Sequence, residues 1–247
     1  MQVATLNHQD IILSTTANFY WQEIADHFFG ENTQIIRGLT KKLNQLCHDA
    51  KAGNLFAITL LQHFIKQCPT KHRIDYASKR YRNVSKALRN MALVRPRRLI
   101  KIEITYDNKL ISIFLRQIYR FNLPLSMIKS GIYYGRIAEN EAQAEINHLF
   151  TPLQSALNQC MRYGKSYQGI TAEDFANKTE CFTTLNNQFE SAMDISIPES
   201  IHAGHYQNVL LSIEYPHTQI EANTDNNIDD TAEDTTLADD TTEISAV

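Results

Sequence analysis

Eleven lysines and arginines lie between residues 71 and 101, with Asp75 the sole acid among them. Cationic side chains at that density attract polyanions. Nucleic acid leads the candidates, because every phosphate carries a negative charge and its neutralisation releases condensed counterions. On a helix turning about 100° per residue, Lys79, Arg82, Lys86 and Arg89 gather within about 80° of one another, with Asn83 and Asn90 beside them. Ala77, Tyr81, Val84, Leu88 and Met91 fall on the opposite stripe. A helix from Asp75 to Leu93 would thus pack on one side and offer donors on the other. Lys79, Arg82, Asn83, Lys86 and Arg89 are the expected contacts to base edges or phosphates, and Arg95, Arg97, Arg98 and Lys101 the expected clamps on backbone phosphates. Neutralising about six phosphates would make affinity fall as roughly the fifth power of salt concentration. Tyr76 and Tyr81 could stack on unpaired bases, but Tyr81 belongs to the packing stripe.

The opposite charge is collected elsewhere. Residues 217–247 hold nine acids and no Lys or Arg, so the formal net charge of −3 hides a surplus of six bases (24 against 18) over residues 1–216. With little apolar surface to offset ordering entropy, this stretch is expected to be a disordered acidic tail. It either solubilises the chain or competes with phosphate for the basic face.

Residues that could support catalysis or hold a metal do not assemble into a recognised pattern. His202, His205 and Tyr206 flank Gly204 at no established ligand spacing, and His63, Cys68 and His72 straddle the end of a helix. Asp107-Asn108-Lys109 has the Asp-x-Lys spacing of metal-dependent nucleases but also reads as a turn. Gly131-Ile132-Tyr133 matches half of the GIY-YIG nuclease signature, with the second half absent. No cofactor or metal is implied, and nuclease is the least remote enzymatic activity. The four cysteines, Cys47, Cys68, Cys160 and Cys181, are scattered without paired spacing, as expected of thiols in a reducing compartment.

The elements that must carry these residues follow from periodicity. Apolar positions predict helices over 16–29, 31–52, 54–67, 75–93, 139–163 and 171–193, with Gly30, Gly53 and Gly164 as stops, Pro152 dividing or kinking the fifth, and a Thr171/Asp174 capping box opening the last. The helix at 54–67 is apolar over more than half its circumference and should sit centrally. Ile100, Ile102, Ile104 and Tyr106 alternate with Lys101, Glu103 and Thr105, the period of a half-buried strand. A two-residue turn at Asp107-Asn108 would pair Ile104 with Ile111, Ile102 with Ile113 and Ile100 with Leu115, making a hairpin. The alternative is a helix over 109–121, on Leu110, Phe114, Ile118 and Phe121. Val209, Leu211, Ile213 and Tyr215 predict a short closing strand.

Three helices, the third basic, followed by a two-stranded ribbon resemble the winged helix-turn-helix arrangement of DNA-binding domains over residues 31–115. The resemblance implies that helix 75–93 enters the major groove. The expected fold is α+β, mainly α. It comprises an N-terminal extension (1–30), a basic helix-turn-helix and hairpin unit (31–137), a helical segment with closing strand (138–216) and the acidic tail (217–247). The expected activity is non-enzymatic binding of nucleic acid, duplex DNA before RNA, in a regulator, replication factor or mobile-element accessory protein. The rival is a protein-interaction module or secreted effector whose basic face meets an acidic partner. Segment 138–216 is a candidate homodimer surface. No run of about 18 apolar residues exists to span a bilayer and no basic leader opens the chain, so a cytoplasmic protein is expected.

Overall fold

The computed structural model of the chain describes residues 13–68, 88, 91–177 and 180–214. Among them the architecture is mainly helical with one two-stranded antiparallel sheet. Strand β1 (Leu13–Phe19) leads into α1 (Gln22–Phe28), α2 (Gln34–Lys51) and α3 (Leu55–Gln67). Strand β2 (Ile100–Tyr106) precedes α4 (Lys109–Arg120), α5 (Asn122–Tyr133) and the long α6 (Glu139–Arg162). Four shorter helices close it: α7 (Ala172–Ala176), α8 (Glu180–Met193), α9 (Glu199–His202) and α10 (Gln207–Glu214). No described helix is long and apolar enough to cross a membrane.

The central element is α3, as its apolar circumference predicts. It is buried from Leu55 to Leu61 and again at Phe64, and α2, α6, α9 and α10 pack around it. Asn54 starts it by accepting the Ala57 N–H at 3.1 Å, while its amide donates to the Tyr167 carbonyl at 2.6 Å. Its two ends meet two aromatic groups. Phe64 stacks on Phe114, which meets Phe28, and Phe28 packs in turn against Phe121 and Phe150. Two turns earlier, Phe56 contacts Tyr167, Phe175, Phe182 and Phe189. Burying each phenylalanine contributes about 1.5–3 kcal/mol, and each well-placed ring pair about 0.5–1.5 more. These two groups therefore carry a large share of the stability. Buried residues from Phe19 to Ile213 join in one core cluster.

The hairpin expected at 100–115 is not formed. Strand β2 is present, but its partner is β1, in the register Leu13↔Tyr106 to Phe19↔Ile100. Residues 109–120 adopt the alternative, a helix. Asn108 accepts the Leu110 N–H at 2.9 Å, acting as an N-cap where the hairpin reading needs a turn. Ile111, Ile113 and Leu115 are all buried because α4 is enclosed on most sides, which imitates a strand's alternation. The wing of the expected winged-helix unit is therefore absent.

The closing strand is also a helix, α10. Val209 and Ile213, four residues apart, are buried, so the 3.6-residue period overrides the apparent period of two. At the other end, the helix expected from Thr16 begins only at Gln22, because β1 occupies the preceding residues. Helix α6 runs through Pro152 without division. The proline and His148, whose carbonyl loses its helical N–H partner, are both exposed. The helix expected over 171–193 is two helices, α7 and α8, and residues 91–93 are not helical. The capping box is present: the Thr171 N–H and hydroxyl donate to the Asp174 carboxylate at 2.8 and 2.9 Å.

Candidate nucleic-acid interface

Of the nine expected nucleic-acid contacts, Lys79, Arg82, Asn83, Lys86 and Arg89 lie outside the described residues, as does the acidic stretch 217–247. From the apolar stripe of the same expected helix, Leu88 is buried and Met91 packs half-buried on the core. The remaining four contacts, Arg95, Arg97, Arg98 and Lys101, are all exposed.

The backbone that presents them is irregular but anchored. Leaving Leu88, which accepts the Met91 N–H at 2.9 Å, the chain runs across α5: the Tyr134 hydroxyl donates to the Ala92 carbonyl at 3.0 Å, and the Val94 N–H donates to Ser130 Oγ at 2.8 Å. Pro96 fixes one dihedral of the turn, and Ile100 then enters the sheet opposite Phe19. The four cations are therefore held between a helix and a strand.

Arg95 has a specific support. Its guanidinium carbon lies 5.7 Å from the centre of the Tyr20 ring, within cation–π range. Tyr20 is itself held, because its N–H donates to Asn122 Oδ1 at 2.9 Å, and the Asn122 amide reaches the Asn18 carbonyl at 3.4 Å. Asn122 is buried at the start of α5 and fastens the end of β1 to that helix. Sequence reasoning missed Tyr20, Asn122 and Ser130. Each acts on a residue more than thirty positions away, and no local pattern signals such a contact.

Neighbouring charges decide which cations are free to act. Lys129, over the Trp21 ring at 5.8 Å, is paired with Glu23. By contrast, Arg95, Arg97, Arg98 and Lys101 form no ion pair with any described carboxylate. Lys101 shares the polar face of the sheet with Glu103, two residues on and about 7 Å away. It also lines a cleft of about 340 Å3 beside the left-handed Asn32 and Thr33. Asp26 and Glu103 line that cleft too, so its charge is mixed and it is not an anion pocket. The cationic surface is the exposed segment itself.

The residues considered for catalysis or metal binding fall into structural places. Among the described residues no three His, Cys, Asp or Glu side chains come together as metal ligands. His202 and His205 are exposed, and His72 lies outside the described residues. Burial, and secondarily the Lys66 charge, holds the His63 imidazole below the usual range. Burial pushes the Cys47 thiol up to about 11 and Cys160 to about 12, and raises Cys68 as well, so these are core thiols and not nucleophiles. Asp107 accepts from the Asn44 amide at 3.0 Å, and Asn108 donates to Asn44 Oδ1 at 2.7 Å. The Asp-x-Lys spacing thus marks a β2-to-α4 turn clamped onto α2. Gly131 lies in the last turn of α5, where its carbonyl accepts the Arg136 N–H at 2.7 Å.

Comparison with protein-family models, curated proteins and solved structures returns no match to this chain.

Proposed function

We propose that this chain binds nucleic acid, duplex DNA in the first instance, through the exposed segment Arg95–Lys101, without catalysing a reaction on it. The observation that carries the reading is the set of four exposed cations within seven residues, none paired with a described carboxylate, on a backbone tied to α5 and β1. Phosphate oxygens are the natural acceptors for such a set, with Arg97 and Arg98 able to make bidentate contacts. The sequence supports the same reading: seven further Lys or Arg residues stand between positions 71 and 89. Wing contacts play no part, since the ribbon they require is replaced by α4.

The test is affinity for a random duplex, a single strand and duplex RNA over a salt series, for the natural chain and for Arg97→Gln/Arg98→Gln/Lys101→Gln. Loss of three phosphate contacts should lower the slope of log affinity against log salt by about 2.7 on duplex DNA. Tighter binding to single strands would move the proposal from duplex to unpaired nucleic acid. Absence of binding to all three at low salt would overturn it and leave an acidic protein as the partner class.

A further inference from the structure

We infer that the acidic stretch 217–247 seats on the basic surface formed by Arg95, Arg97, Arg98 and Lys101 of the same chain. Its consequence for ligand binding, though not the contact itself, rests on the reading given above.

Charge complementarity selects this occupant. The surface offers four exposed cations with no described carboxylate partner, while the stretch offers nine carboxylates and no Lys or Arg. Six of the nine form adjacent pairs, Asp229-Asp230, Glu233-Asp234 and Asp239-Asp240. A sequence-adjacent pair of acids matches the sequence-adjacent Arg97 and Arg98, whose planar guanidinium forks donate bidentately to carboxylates. Few apolar side chains are present between 217 and 247, so attraction between charges must supply the contact.

Reach is sufficient. The described chain ends at Glu214, the last residue of α10, which packs on α3 and α2. Thirty-three residues follow. At about 3.3 Å per residue they span up to roughly 110 Å, against a diameter of about 40 Å for a folded unit of this size. Individual exposed ion pairs are weak, but tethering raises the effective concentration of the stretch to about the millimolar range, so several weak pairs suffice to populate the contact. Duplex DNA carries one charge per about 1.7 Å, far denser than nine charges over this stretch, and would displace it. The stretch thereby discriminates against weaker anions and raises the threshold for binding.

Two readouts on the full chain test this, comparing the natural sequence with a variant in which all nine acids of 217–247 become the corresponding amides. In low salt, the backbone amide resonances of residues 95–101 should differ between the two chains, and the difference should vanish in high salt. Affinity for a random duplex should rise about tenfold in the amide variant in low salt and change less than about twofold in high salt. Superimposable resonances at 95–101 overturn the contact whatever the affinities, because tighter binding alone reports only the altered net charge. Shifted resonances with unchanged duplex affinity keep the contact and overturn the competition. Shifted resonances in a chain that binds no nucleic acid keep the contact and overturn the function proposed above.

Discussion

The Arg95 guanidinium carbon lies 5.7 Å from the centre of the Tyr20 ring, joining the connection before β2 to the residue that follows β1. The contact orients one cation of an otherwise solvent-facing set, and Asn122, accepting the Tyr20 N–H, ties the backbone beneath the ring to α5. It separates two effects that are hard to tell apart on a basic surface, the number of charges and their positioning.

Replacing Tyr20 by Ala should therefore weaken duplex binding about two- to fivefold, the equivalent of roughly 0.5–1 kcal/mol, with the salt slope unchanged because no charge is lost. Tyr20→Phe, which keeps a ring, should bind as the natural chain does. A salt series on both variants decides it, and a slope that falls with Tyr20→Ala would show that Arg95 itself leaves the interface.

Gly30 closes α1 with φ 64° and ψ −174°, a conformation that other residues rarely adopt. A Cβ there would also stand 3.1 Å from the Ile35 side chain. Gly30→Ala should cost about 1–3 kcal/mol. In urea unfolding this would appear as a lower midpoint at unchanged slope. An unchanged midpoint would mean that the 29–33 turn relaxes freely.

Inside the core, the Tyr163 hydroxyl donates to Asp49 Oδ2 at 2.7 Å, and Gln45 donates to the other carboxylate oxygen at 2.9 Å. Tyr163→Phe leaves a buried carboxylate oxygen short of a donor and should cost about 1–3 kcal/mol. Burial, reinforced by the hydrogen bond to Asp49 and its charge, raises the Tyr163 phenol above its ordinary range. Its contribution is therefore complete below the ordinary tyrosine range and is lost as pH climbs through the raised value. Burial also raises the Tyr106 and Tyr167 phenols, so an ultraviolet titration of the native protein should show a late-titrating group of tyrosines after the exposed ones, and Tyr163→Phe should remove one phenol from that group.

At the start of α7 the sign reverses. The hydrogen bond from the Thr171 N–H, then that from its hydroxyl, holds the Asp174 carboxyl below the usual aspartate range. Its stabilisation of the cap is present above that range and lost as pH falls through the depressed value. Thr171→Ala, which removes only the hydroxyl bond, should move the Asp174 carboxyl titration part of the way back up. A titration followed by NMR that leaves Asp174 at the ordinary aspartate value in the natural chain would remove this account.

The helices with strong amphipathic stripes were legible from sequence because their pattern and their burial have the same cause. Ile36, Leu39, Leu43, Leu46 and Ala50 of α2 are buried where the 3.6-residue period puts them, and Ile146, Phe150, Leu153, Leu157 and Cys160 do the same for α6. The sheet was half legible. Strand β2 alternates visibly, whereas in β1 the residues opposite Ile104 and Ile102 are the exposed Thr15 and the half-buried Ala17, and Phe19 alone is a buried large side chain among those described. The segment after β2 misled because a helix buried on most sides hides its period. Asn108, a cap and not a hairpin turn, decided the matter through one hydrogen bond.

By itself the sequence determined the separation of charge, the cations at 95–101 and the acids beyond 216, since charge is fixed by composition and needs no fold. The tertiary structure decided which cations stay available. Lys129 is neutralised by Glu23, whereas Arg95 is braced on Tyr20, and Arg97, Arg98 and Lys101 are exposed and form no ion pair with a described carboxylate. The physical reason is distance: the attraction between charges, and the stacking of a cation on a ring, act over a few ångströms, and only folding brings residues 20, 23, 95 and 129 that close.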